Sequence, residues 1–298
     1  MSEISTWMKS FVAVADAGSF SAAAMRLDAS QSTVSKHIAA LELHLRTRLM
    51  QRTTRSLTLT DEGATFYESA RLALAAIDEA EAAVGRVSAA RGVIRITAPL
   101  SLVEGRLMAM LSAFMAENPG IEIELKVSDH ALNLIADSVD LAVRVGQLSD
   151  TRLVARRIGT TRRVAVAAPA YLAARGRPQV PQDLAAHNCI TYSLSSAGQQ
   201  WTFENGVSVP VSGTMRADSP NALRAAVLAG VGIAVNAVWL FERELAQGRL
   251  EIVLPHHVPQ PMPISIVLPS VRHVAARTRV LVEYLTAAFA NDPLVALD

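Results

Sequence analysis

The chain has 298 residues, 51% of them hydrophobic and 18% charged, with 15 Gly, 13 Pro and one cysteine, Cys189. At roughly 150 residues per domain it holds about two domains with cores of useful size, which excludes a disordered, collagen-like or disulfide-framework chain. Net charge is +1, from 28 basic and 27 acidic side chains, so neither a polyanion nor a membrane surface is called for by the whole.

One cysteine allows neither an intrachain disulfide nor a Cys-rich zinc site, and a reducing cytoplasm is the expected compartment. Cys189 reads as a buried small hydrophobe, with a reactive thiol as the alternative. The start, MSEISTWMKSF, carries Glu3 early and has no basic region followed by an apolar run, so it does not read as a signal peptide. The longest apolar stretch, Ala225 to Phe241, is interrupted by Gly230, Gly232 and Asn236. It falls short of the roughly 20 residues a membrane span needs and reads as buried helix, turn and strand.

Ile4, Trp7, Met8, Phe11, Val14 and Ala15 recur at spacings of three and four, which predicts a first amphipathic helix ending at Gly18. Ser19 or Ser21 caps a second, short helix through Ala22, Ala23, Ala24 and Leu27, ending near Asp28. Ser30 is an N-cap candidate for a third, in which Val34, Ile38, Leu41 and Leu45 form the inward stripe. Two helices joined by so tight a turn make a helix-turn-helix. The face opposite Val34 and Ile38 shows Gln31, Ser32, Thr33, Lys36 and His37, side chains able to read base edges or bind phosphates at the start of a recognition helix. An ordinary polar helix face is the alternative. Residues 26 to 56 hold six basic side chains (Arg26, Lys36, Arg46, Arg48, Arg52, Arg55) against two acidic ones (Asp28, Glu42), a local footprint that suits a polyanion partner, with a solvated basic face as the alternative.

Leu49 to Arg52 and Ser56 to Leu59 alternate as two short strands with Thr53, Thr54 and Arg55 at the tip. This reads as a wing whose Arg52 and Arg55 would reach the minor groove or phosphates, with solvated loop arginines as the alternative. Thr60 and Asp61 then cap a long helix in which Tyr67, Ala70, Leu74, Ile77, Ala80, Val84 and Val87 form a regular seam. An exposed helix this long calls for a partner helix and predicts a homodimer, with a dimer of dimers also open.

Residues 19 to 63 closely resemble the winged helix-turn-helix of LysR-type transcriptional regulators. The densest matches are Ser30-Gln31, Thr33-Val34-Ser35, Leu41-Glu42 with Leu45, Leu49 with Arg52, Arg55, and Leu57-Thr58-Leu59-Thr60. Two positions depart: Arg46 stands where the family usually has a turn glycine, and Met50 where it usually has Phe. The resemblance implies promoter DNA and RNA polymerase as partners, and adds Ser30 and Ser35 to the DNA-binding set.

From Arg91 on, β-rich runs alternate with helical stretches, the pattern of a parallel sheet with crossover helices. Strands are expected at Val93 to Ala98, Ile121 to Val127, Asp140 to Val145, Arg163 to Ala168, Ile190 to Tyr192, Ile233 to Asn236 and Ile264 to Leu268. A helix runs from Pro99 to about Glu117 and the last from Val274 to Phe289. Residues 140 to 193 are similar to one large subgroup of the same family almost throughout. That implies a two-subdomain α/β effector domain like periplasmic solute-binding proteins. The layout is then 1–60 DNA-binding, 61–90 linker helix and 91–298 regulatory, with subdomain I at about 91–162 and 268–298 and subdomain II at about 163–267.

A small organic effector would sit beyond the carboxyl ends of the strands, where helix N-termini offer free N–H groups. Thr97, Pro99, Ser101 and Leu102 lie at one such junction, Arg144 and Gly146 at a second, Thr191, Tyr192 and Ser193 at a third, and Asp218, Ser219 and Pro220 at a fourth. Helix N-termini at Ser101 and Ser219 together with Arg144 favour an anionic effector, though Asp218 and the apolar residues nearby would equally suit a neutral or aromatic one, and plain N-caps, or an ion pair of Arg144 with Asp140 or Asp218, would account for the same residues. Neither metal nor cofactor is expected. The seven histidines include no metal-binding helical pair, His256-His257 reads as a solvated loop, and Gly230-Val231-Gly232 lacks the rest of a dinucleotide fingerprint. A solute-binding or catalytic α/β protein without DNA binding is the competing reading.

Overall fold

The computed structural model describes residues 3–52, 57–83, 91–130, 134, 137, 139–148, 154–194, 199–204, 206–269 and 274–296. The chain divides into two compact units, 1–89 with 270–279, and 90–269 with 280–298.

In the first unit, helices α1 (Glu3–Ala17), α2 (Phe20–Arg26) and α3 (Gln31–Leu45) precede a hairpin of β1 (Met50–Arg52) and β2 (Leu57–Leu59), and helix α4 (Asp61–Ala83) follows. The expected inward stripes close on one core, in which Phe11, Val14, Ala23, Ala24, Val34, Ile38, Leu41, Leu49, Met50 and Tyr67 are buried. The hydroxyl of Ser19 caps α2 by accepting from the Ala22 N–H, and Ser30 caps α3 by accepting from the Thr33 N–H at 3.1 Å. The other end of α3 closes as a Schellman turn: Thr47 N–H donates to the Glu42 carbonyl (3.1 Å) and Arg46 N–H to the Leu43 carbonyl (3.3 Å). Arg46 takes the left-handed position there, at φ +54°. The family's usual glycine thus has a physical reason, and this chain carries a side chain where backbone geometry disfavours one.

Glu42 ties the hairpin to α3. Its Oε1 accepts from the Leu49 N–H (2.8 Å) and the Met50 N–H (3.1 Å), while Oε2 pairs with Arg48. Thr60 donates its hydroxyl to the Arg48 carbonyl (2.7 Å) and accepts from the Gly63 N–H (2.9 Å), which caps α4. Gly63 allows this closeness, because a Cβ there would lie 1.9 Å from the Leu49 carbonyl oxygen.

The second unit holds, in chain order, β3 (Gly92–Ala98), α5 (Leu100–Leu102), a π-turn at Val103–Leu107, α6 (Met108–Glu117), β4 (Ile121–Val127), β5 (Leu141–Val145), β6 (Val154–Thr161) and β7 (Arg163–Ala167). There follow α7 (Pro169–Arg175), β8 (Cys189–Tyr192), β9 (Gln200–Thr202), β10 (Ser208–Pro210), β11 (Arg216–Ala217), α8 (Pro220–Leu228), β12 (Ile233–Ala237), α9 (Glu242–Ala246), β13 (Glu251–Val253), β14 (Met262–Leu268), α10 (Ala276–Ala290) and β15 (Val295–Ala296). One sheet has the order β15-β6-β14-β5-β3-β4 and the other β11-β8-β12-β7-β13.

The expected strands are present, but the sheets are mixed rather than purely parallel. β3 runs parallel to β4 and β5, and β8 to β11 and β12, whereas β14 pairs antiparallel with β5 and β6, and β7 antiparallel with β12 and β13. The antiparallel members include β6, β7 and β14, which flank the passages between the two sheets; β6 runs into β7 with only Arg162 between them. β14 lies in the first sheet, so the passage back comes before Met262, and the expected end of subdomain II at 267 falls several residues late.

Candidate functional site

The surface of α3 comes first. With Val34, Ile38 and Leu41 buried, Gln31, Ser32 and Lys36 stand exposed at its N-terminal end, and Thr33 and Ser35 are half-buried beside them. Ser30, Ser32 and Thr33 share hydroxyl contacts at 2.8 Å that hold these side chains in one cluster. His37 differs from its neighbours. It is half-buried and its Nδ1 meets the Ser10 hydroxyl at 2.8 Å, so this ring ties α3 to α1. Arg52 ends β1 opposite Leu57, whereas Arg55 at the expected wing tip lies outside the described residues.

On α4 the expected seam divides. Tyr67 and Ala70 are buried within their own unit: Tyr67 packs its ring against Phe11, donates its hydroxyl to Asp16 and carries the Arg71 guanidinium over its face. An aromatic that its own core absorbs has no face left for a partner. Leu74 and Ile77 are half-buried, and Val84 lies outside the described residues.

In the second unit, a cavity of about 410 Å³ opens where the two sheets meet. Of the residues expected there, Pro99, Ser101, Gly146, Tyr192, Ser193 and Pro220 line it. Thr97, Leu102 and Thr191 are instead buried in the core, because at a strand or helix end the side chain that points inward belongs to packing. Asp218 is exposed.

The expected anion seat between Ser101 and Ser219 is already filled by the protein's own carboxylate. Asp129, which follows β4, accepts from the Leu100 N–H and the Ser219 hydroxyl; burial pushes its carboxyl up, while these bonds and the charges of His130 and Arg144 pull it down. Arg144 faces Asp129 rather than Asp140 or Asp218. Its Nη1 donates to the Ser128 carbonyl (2.8 Å), Asp140 instead accepts from the Arg95 N–H, and burial pulls the Arg144 guanidinium down against the opposing effect of Asp129. Tyr192 is pushed up to about 12, first by burial and then by Asp129 and Asp218, so its phenol stays neutral.

Reading the sequence missed the far wall, which Arg163, Asn236, Trp239 and Gln260 form with the segment leading into β14. Only the strand start at Arg163 offered a signal. Trp239 rests on Gly105 of the π-turn, where a Cβ would lie 2.9 Å from its Cδ1. On either side of that glycine, Glu104 accepts from Asn221 (2.9 Å) and Arg106 pairs with Glu242 (2.9 Å). The π-turn therefore holds the first sheet's helix to the second sheet's helices directly beside the cavity wall.

Cys189 is buried, and desolvation pushes its thiol up to about 12, with Sγ directed at the Leu184 carbonyl. The buried-hydrophobe reading of this cysteine holds.

A capped tri-helical unit with a β-hairpin and a polar recognition face, followed by a two-sheet unit with a small-molecule cavity, defines a ligand-responsive DNA-binding regulator. The chain matches the LysR family of bacterial regulatory helix-turn-helix proteins over residues 5–64 and the LysR substrate binding domain over residues 88–290. It is 36% identical to the transcriptional regulator PtxR of Pseudomonas aeruginosa over 290 residues, covering 95% of this chain and 92% of that protein. It is 31% identical to the transcriptional activator AaeR of Escherichia coli, covering 95% and 93%. Among solved structures, CrgA, a LysR-type regulator from Neisseria meningitidis, superposes with a TM-score of 0.61 at 32% identity, covering 96% of this chain and 99% of that one. The chain belongs to the LysR-type transcriptional regulators. It is a sequence-specific DNA-binding regulator modulated by a small effector and not an enzyme, which sets aside the solute-binding and catalytic alternatives.

Proposed function

We propose that α3 reads the operator through Gln31, Ser32 and Lys36, with Ser30, Thr33 and Ser35 ordering that end of the helix and Arg52 and Arg55 serving the phosphate backbone. The observation that carries this is the exposed polar face at the N-terminal end of α3, opposite buried Val34 and Ile38. Gln31→Ala is expected to weaken specific binding by about 1 to 3 kcal/mol with little change on random DNA. A gel shift with the promoter DNA flanking its own coding region, run with and without competitor, is the test; equal losses on both DNAs would return this face to ordinary solvated surface.

The protein acts in the cytoplasm as a homodimer or a dimer of dimers, with RNA polymerase as a further partner at the promoter. Leu74 and Ile77, half-buried on α4, are the seam residues that support dimerisation. Leu74→Asp with Ile77→Asp would bury charge in that seam and shift the sedimentation coefficient to that of a monomer. The effector occupies the cavity that Ser101, Tyr192, Ser193 and Trp239 help to line.

A further inference from the structure

The effector cavity contains one charged donor that no acid among the described residues neutralises. Arg163, at the start of β7, uses Nη1 on the Gln260 carbonyl (3.4 Å), while its Nε is buried without a partner. Burial lowers its guanidinium to about 10, and no carboxylate among the described residues acts on it. Arg144 is unlike it in this respect, since it has Asp129 for a counter-charge. Two other buried groups at the cavity lack partners: the indole N–H of Trp239 and the Oδ1 of Asp129. A desolvated cation, a neutral donor and a free acceptor are each unfavourable while unpaired, and a cluster of them at one cavity defines the complement that would satisfy them.

Resting on the reading of this cavity as the effector site, we propose that the effector is a small hydroxylated carboxylic acid. Its carboxylate is bound by Arg163 and its hydroxyl donates to Asp129. A carboxylate fits better than a phosphate dianion because Arg163 is the single unneutralised cation at the cavity among the described residues, so one negative charge is matched there and a second is not. A hydroxyl fits better than an ammonium because Arg144 already balances Asp129. The volume of about 410 Å³ suits one small molecule.

The test uses the full-length protein, with thermal shift and calorimetry. The probes are hydroxy acids of graded length, namely 3-hydroxybenzoate, 4-hydroxybutyrate and 3-(4-hydroxyphenyl)propionate, each with its methyl ester and its deoxy acid. At least one acid is expected to raise Tm and to bind tenfold or more tighter than its ester. Arg163→Gln is expected to abolish that discrimination, Arg163→Lys to keep part of it, and Asp129→Asn to abolish the preference over the deoxy acid. The free Arg163→Gln protein is expected to melt no lower than wild type, since a desolvated cation without a counter-charge does not stabilise the fold. Equal binding of acid and ester, no response to any acid, or a lowered Tm for free Arg163→Gln with acid binding intact overturns the proposal. A neutral probe such as indole, binding in a manner lost in Trp239→Ala, would then show that the cavity is still a ligand site and that only the class of ligand was wrong.

Discussion

The two units of this protein carry their function in opposite ways. The face proposed to read DNA is made by consecutive residues, Ser30 to Lys36, and needs only one buried stripe to orient it. The cavity proposed to hold the effector is made by residues from Pro99 to Pro263, no long run of which is contiguous, and its charge balance depends on which acids lie near which arginines in space. A function on a helix surface survives as a local pattern, whereas a function in a cavity exists only after two sheets have been assembled.

Breaking the local pattern is expected to give the largest effects. Gly63→Ala would place a Cβ against the Leu49 carbonyl oxygen, backbone that cannot rotate away, and is expected to cost about 3 kcal/mol of stability in urea unfolding. DNA binding should fall with it. Glu42→Ala removes the acceptor of the Leu49 and Met50 N–H groups and is expected to cost about 2 kcal/mol, because two backbone donors lose a charged partner. Glu42→Gln should restore part of this by offering an amide oxygen, and identical stabilities for the two variants would show that the carboxylate does not hold the hairpin.

Gly105→Ala probes the other unit. Its Cβ would press on the Trp239 ring rather than on backbone, so the indole can shift, and a smaller loss of about 1 to 2 kcal/mol is expected. The indole fluorescence should change and binding of any cavity ligand should weaken, while binding of the free protein to random DNA stays the same. Arg46→Gly sharpens the comparison with the opposite sign: freeing the left-handed position at φ +54° is expected to stabilise the first unit by about 1 kcal/mol. A loss instead would show that the Arg46 side chain contributes more than its backbone strain costs.

The smallest expected effect is at Cys189. With the thiol pushed up to about 12 and buried, the thiolate fraction at neutral pH is negligible, so iodoacetamide should leave the folded protein unmodified and peroxide should not alter its DNA binding. Rapid alkylation under native conditions would contradict that burial.

The sequence by itself determined most of the helices, caps and hairpin strands described in the first unit. Caps at Ser19 and Ser30, the stripe Val34-Ile38-Leu41 and the alternation around the hairpin are short-range signals, and the contacts they specify lie close in the chain. It also placed most strands of the second unit, because apolar runs between turn residues are local as well. Three things were left to the tertiary structure. Tyr67 read as seam but became core, since periodicity gives the face of a helix and not its neighbour. β14 joined the first sheet, since pairing partners are chosen across more than a hundred residues. The charge at the cavity moved from Arg144 to Arg163, since a guanidinium's availability depends on a carboxylate being near it in space, and Asp129 is near the first and has no effect on the second. Hydrophobic period and capping act over a few residues and are written in the chain; electrostatic pairing acts over a few ångströms between segments that only the fold brings together.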